Sequence, residues 1–366
     1  MSQTVLDVER PQETKTGIVD CDIHPNFRSN ADLMPFLPAR WRQHWQEYGM
    51  HLRQGLSSTL AHPRMNPAVA RADAWPPTGG PPGSDLAFMR QQHLDAHDIE
   101  HGMLMCLRPG GCDERNLAFG AALCTATNDW QIEAWVKPEP RLSAGITISQ
   151  EDPVAAVAEI ERCAPNRAFR VINMPPRMQE PPGRRRYWPI YQAAVAAGLP
   201  VGLHISGVPG HPSTGAGWPS FYMQEHHANA QSMQAVVTSL IMEGVTEQFP
   251  GLKFVLIECG FAWAPSLGWR LDKLWHRMRG EVPHVRRPPS ESIRERFWYT
   301  TQPIEETENP AHLRDIADWI GWDRLLFSTD YPHWDFDDPR YTFRIPLSDI
   351  ERQGVFRDNA RRVFNL

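Results

Sequence analysis

Long basic runs are absent from this 366-residue chain, and its 37 Lys and Arg are outnumbered by 43 Asp and Glu. A net charge of −6 without a basic patch argues against nucleic acid or an anionic membrane as partner. No stretch reaches the roughly 20 apolar residues of a membrane span. The polar start, MSQTVLDVERPQETKTG, has no apolar core of a secretion signal. The expectation is a cytoplasmic protein. The six cysteines lack CxxC spacing, which speaks against a structural zinc ribbon and suits a reducing compartment. Repeats and low-complexity tracts are missing too. What is plentiful is proline (34) and tryptophan (14), which point to long ordered loops and to aromatic packing or pocket walls.

The recurring pattern is a short apolar run followed by a helical stretch. Strands are expected at 17–24, 102–109, 142–149, 168–174, 200–206, 253–260, 297–302 and 324–330. Between them lie helical patterns such as DPVAAVAEIERCA and YWPIYQAAVAAG. The runs are nearly continuously apolar, as in parallel strands covered on both faces. Eight such units in this length predict an α/β fold, a (β/α)8 barrel, with a doubly wound sheet as the alternative. The chain reads as a single domain, 1–366, opening on a flexible segment, 1–15. Segments 50–85 and 207–228 read as loop insertions on the C-terminal face, where the active site of a barrel lies.

Several expected strands end in groups able to bind a metal. The first carries Asp20, Asp22 and His24 at alternate positions, which puts all three on one side of an ideal strand. The fifth ends in His204, the sixth in Glu258 and the eighth in Asp330. Strand ends converge in a barrel, so these groups would form a mixed N/O site for a divalent metal. Taken singly, each has a plainer reading. Asp20 is either a turn or cap residue or one that orients its neighbours. A lone histidine in VGLHISG is often a hydrogen-bonded core group. Glu258, after four apolar residues, needs a metal, an arginine or a proton to offset its burial.

The ordered set VDCDIH, PIYQAAVAAGLPVGLHISG, FPGLKFVLIECGFAWAP, RLLFSTDYPHWD and DNARRVFNL resembles the amidohydrolase superfamily. The similarity is to the branch related to aminocarboxymuconate semialdehyde decarboxylase, and it covers nearly the whole chain. It implies a metal centre of Asp22, His24, His204 and Asp330. Two departures are visible. Asp22 stands where the branch has the first His of a His-x-His pair, which makes the site harder and suits Zn²⁺ while admitting Mn²⁺ or Mg²⁺. Glu258 stands where many decarboxylases have a catalytic histidine.

The expected function is hydrolysis of a small aromatic or carboxylated molecule at an amide, ester, lactone or C–C bond, by a metal-activated water. The alternative is non-oxidative decarboxylation of a hydroxylated aromatic or related unsaturated acid. Asp330, Glu258 and His333 are the candidate catalytic groups. Trp334, Trp263, His227 with its neighbour His226, and Arg170 are candidates for substrate contact. Arg270 and Asp272 suggest a structural ion pair. A homodimer or higher homo-oligomer is expected from the resemblance.

Overall fold

The computed structural model describes residues 17–51, 69–107, 111–205 and 211–366. The segment 1–15 and most of the first half of the 50–85 insertion lie outside them. All eight expected strands form: β1 (Ile18–Ile23), β2 (Ile99–Leu104), β3 (Leu142–Thr147), β4 (Phe169–Met174), β5 (Val201–His204), β6 (Phe254–Ile257), β7 (Phe297–Thr300) and β8 (Leu325–Leu326). They pair in parallel in sequence order. Residues just beyond β8 close the ring. Cys21 N–H donates to Phe327 O (3.0 Å) and Asp330 N–H to Asp22 O (3.1 Å), and Ile23 bridges Tyr331. The fold is the (β/α)8 barrel, and the doubly wound alternative falls.

β2 begins three residues earlier than its apolar run. Glu100 and His101 are polar, yet both are held: Glu100 by Arg357 and Arg361, His101 by Ser143 Oγ at 2.9 Å. The barrel interior is filled by Val19, Cys21, Met103, Val171, Val255 and Leu326. The C-terminal helix Asn359–Phe364 adds Ala360, Val363 and Phe364 to the same cluster and so plugs the barrel floor. An outer layer, including Leu203, Leu256, Tyr299 and Phe327, packs the sheet against the helices.

The described part of the first insertion sits on the C-terminal face. Arg71 N–H donates to Pro332 O, Trp334 N–H to Val69 O, and Asn26 N–H to Gly83 O. Gly83 is required there: its φ is +77°, and a Cβ would lie 2.4 Å from His24 O. The second insertion is shorter than expected, because a helix starts at Tyr222 and runs to Met242. Residues 222–228 are therefore helical. No helix of the described residues is long and apolar enough to cross a membrane.

Candidate metal centre

β1 does not keep a strict alternation. Asp20 pairs with Gly102 and Ile23 with Leu104, so three steps on β1 meet two on β2. This bulge shifts the side-chain phase by one residue. Cys21 fills the interior, Ile23 the outer layer, and Asp22 and His24 turn to the barrel mouth. Asp20 is left on the other side. The expectation that Asp20, Asp22 and His24 share one face is thus corrected: only the last two do.

Asp20 has a different task. It is fully buried and its oxygens accept from Asp22 N (3.2 Å), Thr329 N (3.0 Å), Thr329 Oγ1 (2.6 Å) and His93 Nε2 (2.8 Å). His93 belongs to a π-helical turn, Arg90–Leu94, and stacks on Tyr331 at 4.7 Å. The network ties β1 to the chain leaving β8. Asp20 is the orienting residue of the two readings open to it.

At the mouth, ligand atoms of Asp22, His24, His204 and Glu258 lie within 4.8 Å of one another, and so do those of His24, Glu258, Asp330 and His333. Glu258 and Asp330 end their strands with φ of +57° and +64°. Each such conformation costs a non-glycine residue about 1–2 kcal/mol. Strain of this kind collects at functional sites, where it aims side chains.

The donors are arranged for a cation. His24 Nδ1 lies 2.7 Å from Met105 O, and His204 Nδ1 lies 2.9 Å from Ile205 O. A carbonyl only accepts, so in each ring Nδ1 carries the proton and Nε2 offers a lone pair. Burial lowers the pKa of His24 and keeps it neutral. Yet His24 Nε2 faces Asp330 Oδ1 at 2.7 Å and Asp22 Oδ1 at 3.4 Å. His204 Nε2 faces Asp22 Oδ1 and Glu258 Oε2, both at 3.3 Å. Lone pairs and carboxylates at these separations repel unless a proton or a cation stands between them. Neither oxygen of the fully buried Asp22 accepts a hydrogen bond among the described residues. Ligands about 2.0–2.1 Å from a tetrahedral ion are about 3.3–3.4 Å apart, the spacing found around Asp22. The donor set, two imidazoles and hard carboxylates, suits a divalent cation.

Without a cation the site is overcharged. Burial, and then Asp335 and Asp22, push the Glu258 carboxyl well above its usual range. Burial, then Glu258, Asp335 and Asp22, do the same to Asp330. His333 Nδ1 meets Asp330 Oδ1 at 2.6 Å, and its ring stacks on His24 at 4.4 Å. Gln302, the last residue of the seventh expected strand run and two residues past β7, donates from Nε2 to Asp330 Oδ2 (3.2 Å) and Asp335 Oδ2 (2.9 Å).

Three nominated substrate contacts do not reach this cluster. Arg170 lies at the opposite end of β4, where its guanidinium donates to Asn365 O at 2.6 Å beside the barrel floor. Arg170→Ala is expected to leave metal content and kcat/KM unchanged and to cost about 1 kcal/mol in chemical denaturation. Trp263 spends its indole N–H on Cys259 O and Gly260 O and packs edge-on against Tyr299 in the outer layer. His227 is exposed, because one residue is a 100° turn of the helix, and its neighbour His226 faces Asp335 instead. Trp334 does stand at the site, 5.7 Å from the His226 ring and bonded through Nε1 to Tyr222 Oη. The Arg270–Asp272 pair is replaced by a cap: Asp272 accepts from Ser290 N at 2.9 Å.

Asp335 and Gln302 were not nominated from the sequence. Both had a signal. Gln302 closes an apolar strand run, as the proposed ligands do, and Asp335 stands five residues past Asp330 in an acidic, aromatic stretch. Nothing in the sequence marked His93.

The chain belongs to the amidohydrolase family, whose model matches residues 19–366. Gamma-resorcylate decarboxylase of Rhizobium sp. (strain MTP-10005) is 27% identical over 303 residues, 77% of this chain and 88% of that protein. The 2-keto-4-carboxy-3-hexenedioate hydratase of Sphingobium sp. (strain NBRC 103272 / SYK-6) is 25% identical over 247 residues, 62% of this chain and 66% of that one. Among solved structures, dihydroxybenzoic acid decarboxylase of Polaromonas sp. JS666, with bound manganese and the inhibitor 2-nitroresorcinol, superposes with a TM-score of 0.66. It is 21% identical and covers 96% of this chain and 97% of its own.

Proposed function

We propose that the protein is a divalent-metal-dependent carboxy-lyase that removes CO2 from a small hydroxylated aromatic or related unsaturated acid. One observation carries the reading. The Asp330 carboxyl is fully buried at the barrel mouth and touches His24, His333 and Gln302, with the partly exposed His333 linking it to solvent. That is the setting of a proton donor to a carbon atom. The likeness to gamma-resorcylate decarboxylase, over 88% of that protein, favours this chemistry above hydrolysis.

Asp22, His24, His204 and Asp330 would hold the cation. When bound, it would offset the carboxylate excess and draw electrons from the oxygens of the substrate. Manganese, found in the Polaromonas neighbour, is the first to test, with zinc and magnesium beside it. The bond from the ring carbon to the carboxyl group breaks, its electron pair stays on carbon, and Asp330 delivers a proton there as CO2 leaves. His333, with a 19% exposed side chain, would return a proton from solvent to Asp330. Trp334 would wall the planar substrate.

Glu258 favours a second reading, hydrolysis, because a carboxylate beside the centre can take a proton from water. Turnover in D2O separates the two. A decarboxylase releases CO2 and leaves one deuterium on the carbon that held it, whereas a hydrolase adds the elements of water across the cleaved bond and releases no CO2. Exhaustive chelation should abolish either activity, and Mn²⁺ should restore it. Activity that survives chelation would remove the cation from the scheme. We also read the protein as a homo-oligomer. Trp269, Leu274 and Met278 lie exposed on the helix Ala264–Met278, and sedimentation velocity tests this.

A further inference from the structure

Glu258 belongs to a further cluster, outside the four residues proposed as ligands. His226, from the helix Tyr222–Met242, and Asp335, from the loop after β8, each place a ligand atom within 4.8 Å of a Glu258 oxygen and of one another. We propose that His226, Glu258 and Asp335 form a second divalent-cation position, with Glu258 bridging it to the first. The proposal rests on the first position being a metal site.

The donors come from three separate elements and converge on one point. His226 Nε2 and Asp335 Oδ2 are 3.1 Å apart. Adjacent ligands about 2.1–2.2 Å from an octahedral ion are about 3.0–3.1 Å apart, so this pair already has the spacing of a coordination edge. Gln302 Nε2 grips both Asp335 Oδ2 (2.9 Å) and Asp335 O (3.2 Å), which fixes the carboxylate in place. The same amide reaches Asp330 Oδ2, so one side chain spans the two positions.

Glu258 supplies the independent observation. Its side chain is only 9% exposed. No N–H or O–H among the described residues donates a hydrogen bond to its carboxyl; His204 Nε2, which the Nδ1 proton leaves as a lone pair, faces it at 3.3 Å, and Asp22 and Asp335 add negative charge beside it. A buried carboxylate with so little compensation is costly. A bridging glutamate resolves this by giving one oxygen to each of two cations, which in two-metal sites stand about 3.5–4 Å apart. The charge count agrees. Asp22, Glu258, Asp330 and Asp335 bring four carboxyls to the mouth; even with the transferable proton on Asp330, three negative charges remain, one more than a single dication balances. The side chains of His226 and Asp335 are 23% and 11% exposed, so the second position is the wetter, and its ion is the weaker bound and the easier to exchange.

The test is titration of the metal-free full-length protein with Mn²⁺, followed by calorimetry and electron paramagnetic resonance. Wild type should take up two equivalents, the second more weakly, and the spectrum at two equivalents should show exchange coupling between neighbouring ions. His226→Ala and Asp335→Asn should each take up one equivalent and show only the isolated ion. One equivalent in wild type, unchanged in both variants, would overturn the second position and leave the first standing. Two equivalents in wild type and in both variants would also overturn it. No uptake by wild type would remove both positions.

Discussion

Asp330→Asn is expected to lower kcat about 10³-fold or more, the upper part of the range for a positioned acid, and to make the metal-free protein more stable. The two effects have one cause. Asparagine keeps the shape and tolerates the backbone φ of +64° at least as well as aspartate. What it removes is a carboxyl that Glu258, Asp335 and Asp22 all disfavour in its ionised form. Without a cation that carboxyl is a liability; with one it would be, on the proposed function, a ligand and the proton source. The pH dependence fixes the sign. Burial first, then the neighbouring carboxylates, raise Asp330 and Glu258 above the unfolded value of about 4. At these two groups the folded protein therefore binds more protons than the unfolded chain above that pH. Their contribution to the stability of the metal-free wild type therefore falls as pH rises above about 5, while His24, His97 and His101, whose pKa values burial lowers, contribute in the opposite sense below about 6.5, so the Asp330 effect is read from the difference between wild type and variant. Asp330→Asn removes one of the two groups, so its melting temperature should fall less over the same range. Saturating Mn²⁺ should flatten the slope for wild type and raise its melting temperature. Equal slopes for the two metal-free proteins would show that Asp330 is not among the carboxyls held protonated.

The barrel was legible because its signal is redundant. Each strand is an apolar run bounded by turn residues, and the eight together admit few other folds. Even β8, only two residues by its pairing with β7, was found through the longer run that ends at Asp330. The ligand candidates were legible for a related reason: ionisable groups at the ends of apolar runs need a partner. The bulge in β1 was not legible. A one-residue register shift leaves no mark in the pattern of Val19, Cys21 and Ile23, all apolar and all fully buried. Its consequence, Asp20 facing one way and Asp22 the other, therefore had to be seen. Arg170 misled because position along a strand was ignored. It stands at the start of β4, and in a barrel that end is the floor. His226 and His227 could not be told apart without the phase of a helix whose first turn lies in a region read as loop. His93 was invisible for a different reason: it acts through Asp20, across 73 residues of sequence.

Asp20→Ala should be the most destabilising single change near the site. Its carboxylate takes the Thr329 N–H, the Thr329 hydroxyl and the His93 Nε2–H, and both donor residues are fully buried. Alanine strands these donors at about 1–3 kcal/mol apiece, with partial relaxation. The expected loss is about 3–5 kcal/mol in chemical denaturation, in the range for breaking a buried charged network. Metal affinity should drop as well, by about 10–100-fold, since Asp20 Oδ1 also holds Asp22 N–H at 3.2 Å and so sets the bulge that aims Asp22. His93→Phe separates the two roles. It removes one donor together with its need for a partner, and it keeps a ring to stack on Tyr331. It should cost less stability and leave Asp22 in place. An Asp20→Ala protein that lost its stability but bound Mn²⁺ as wild type does would show that Asp20 only closes the barrel. The direction of Asp22 would then be set by its own contact with the cation. Loss of both together would place the origin of the metal site one residue layer behind its ligands, in the network joining the first strand to the last.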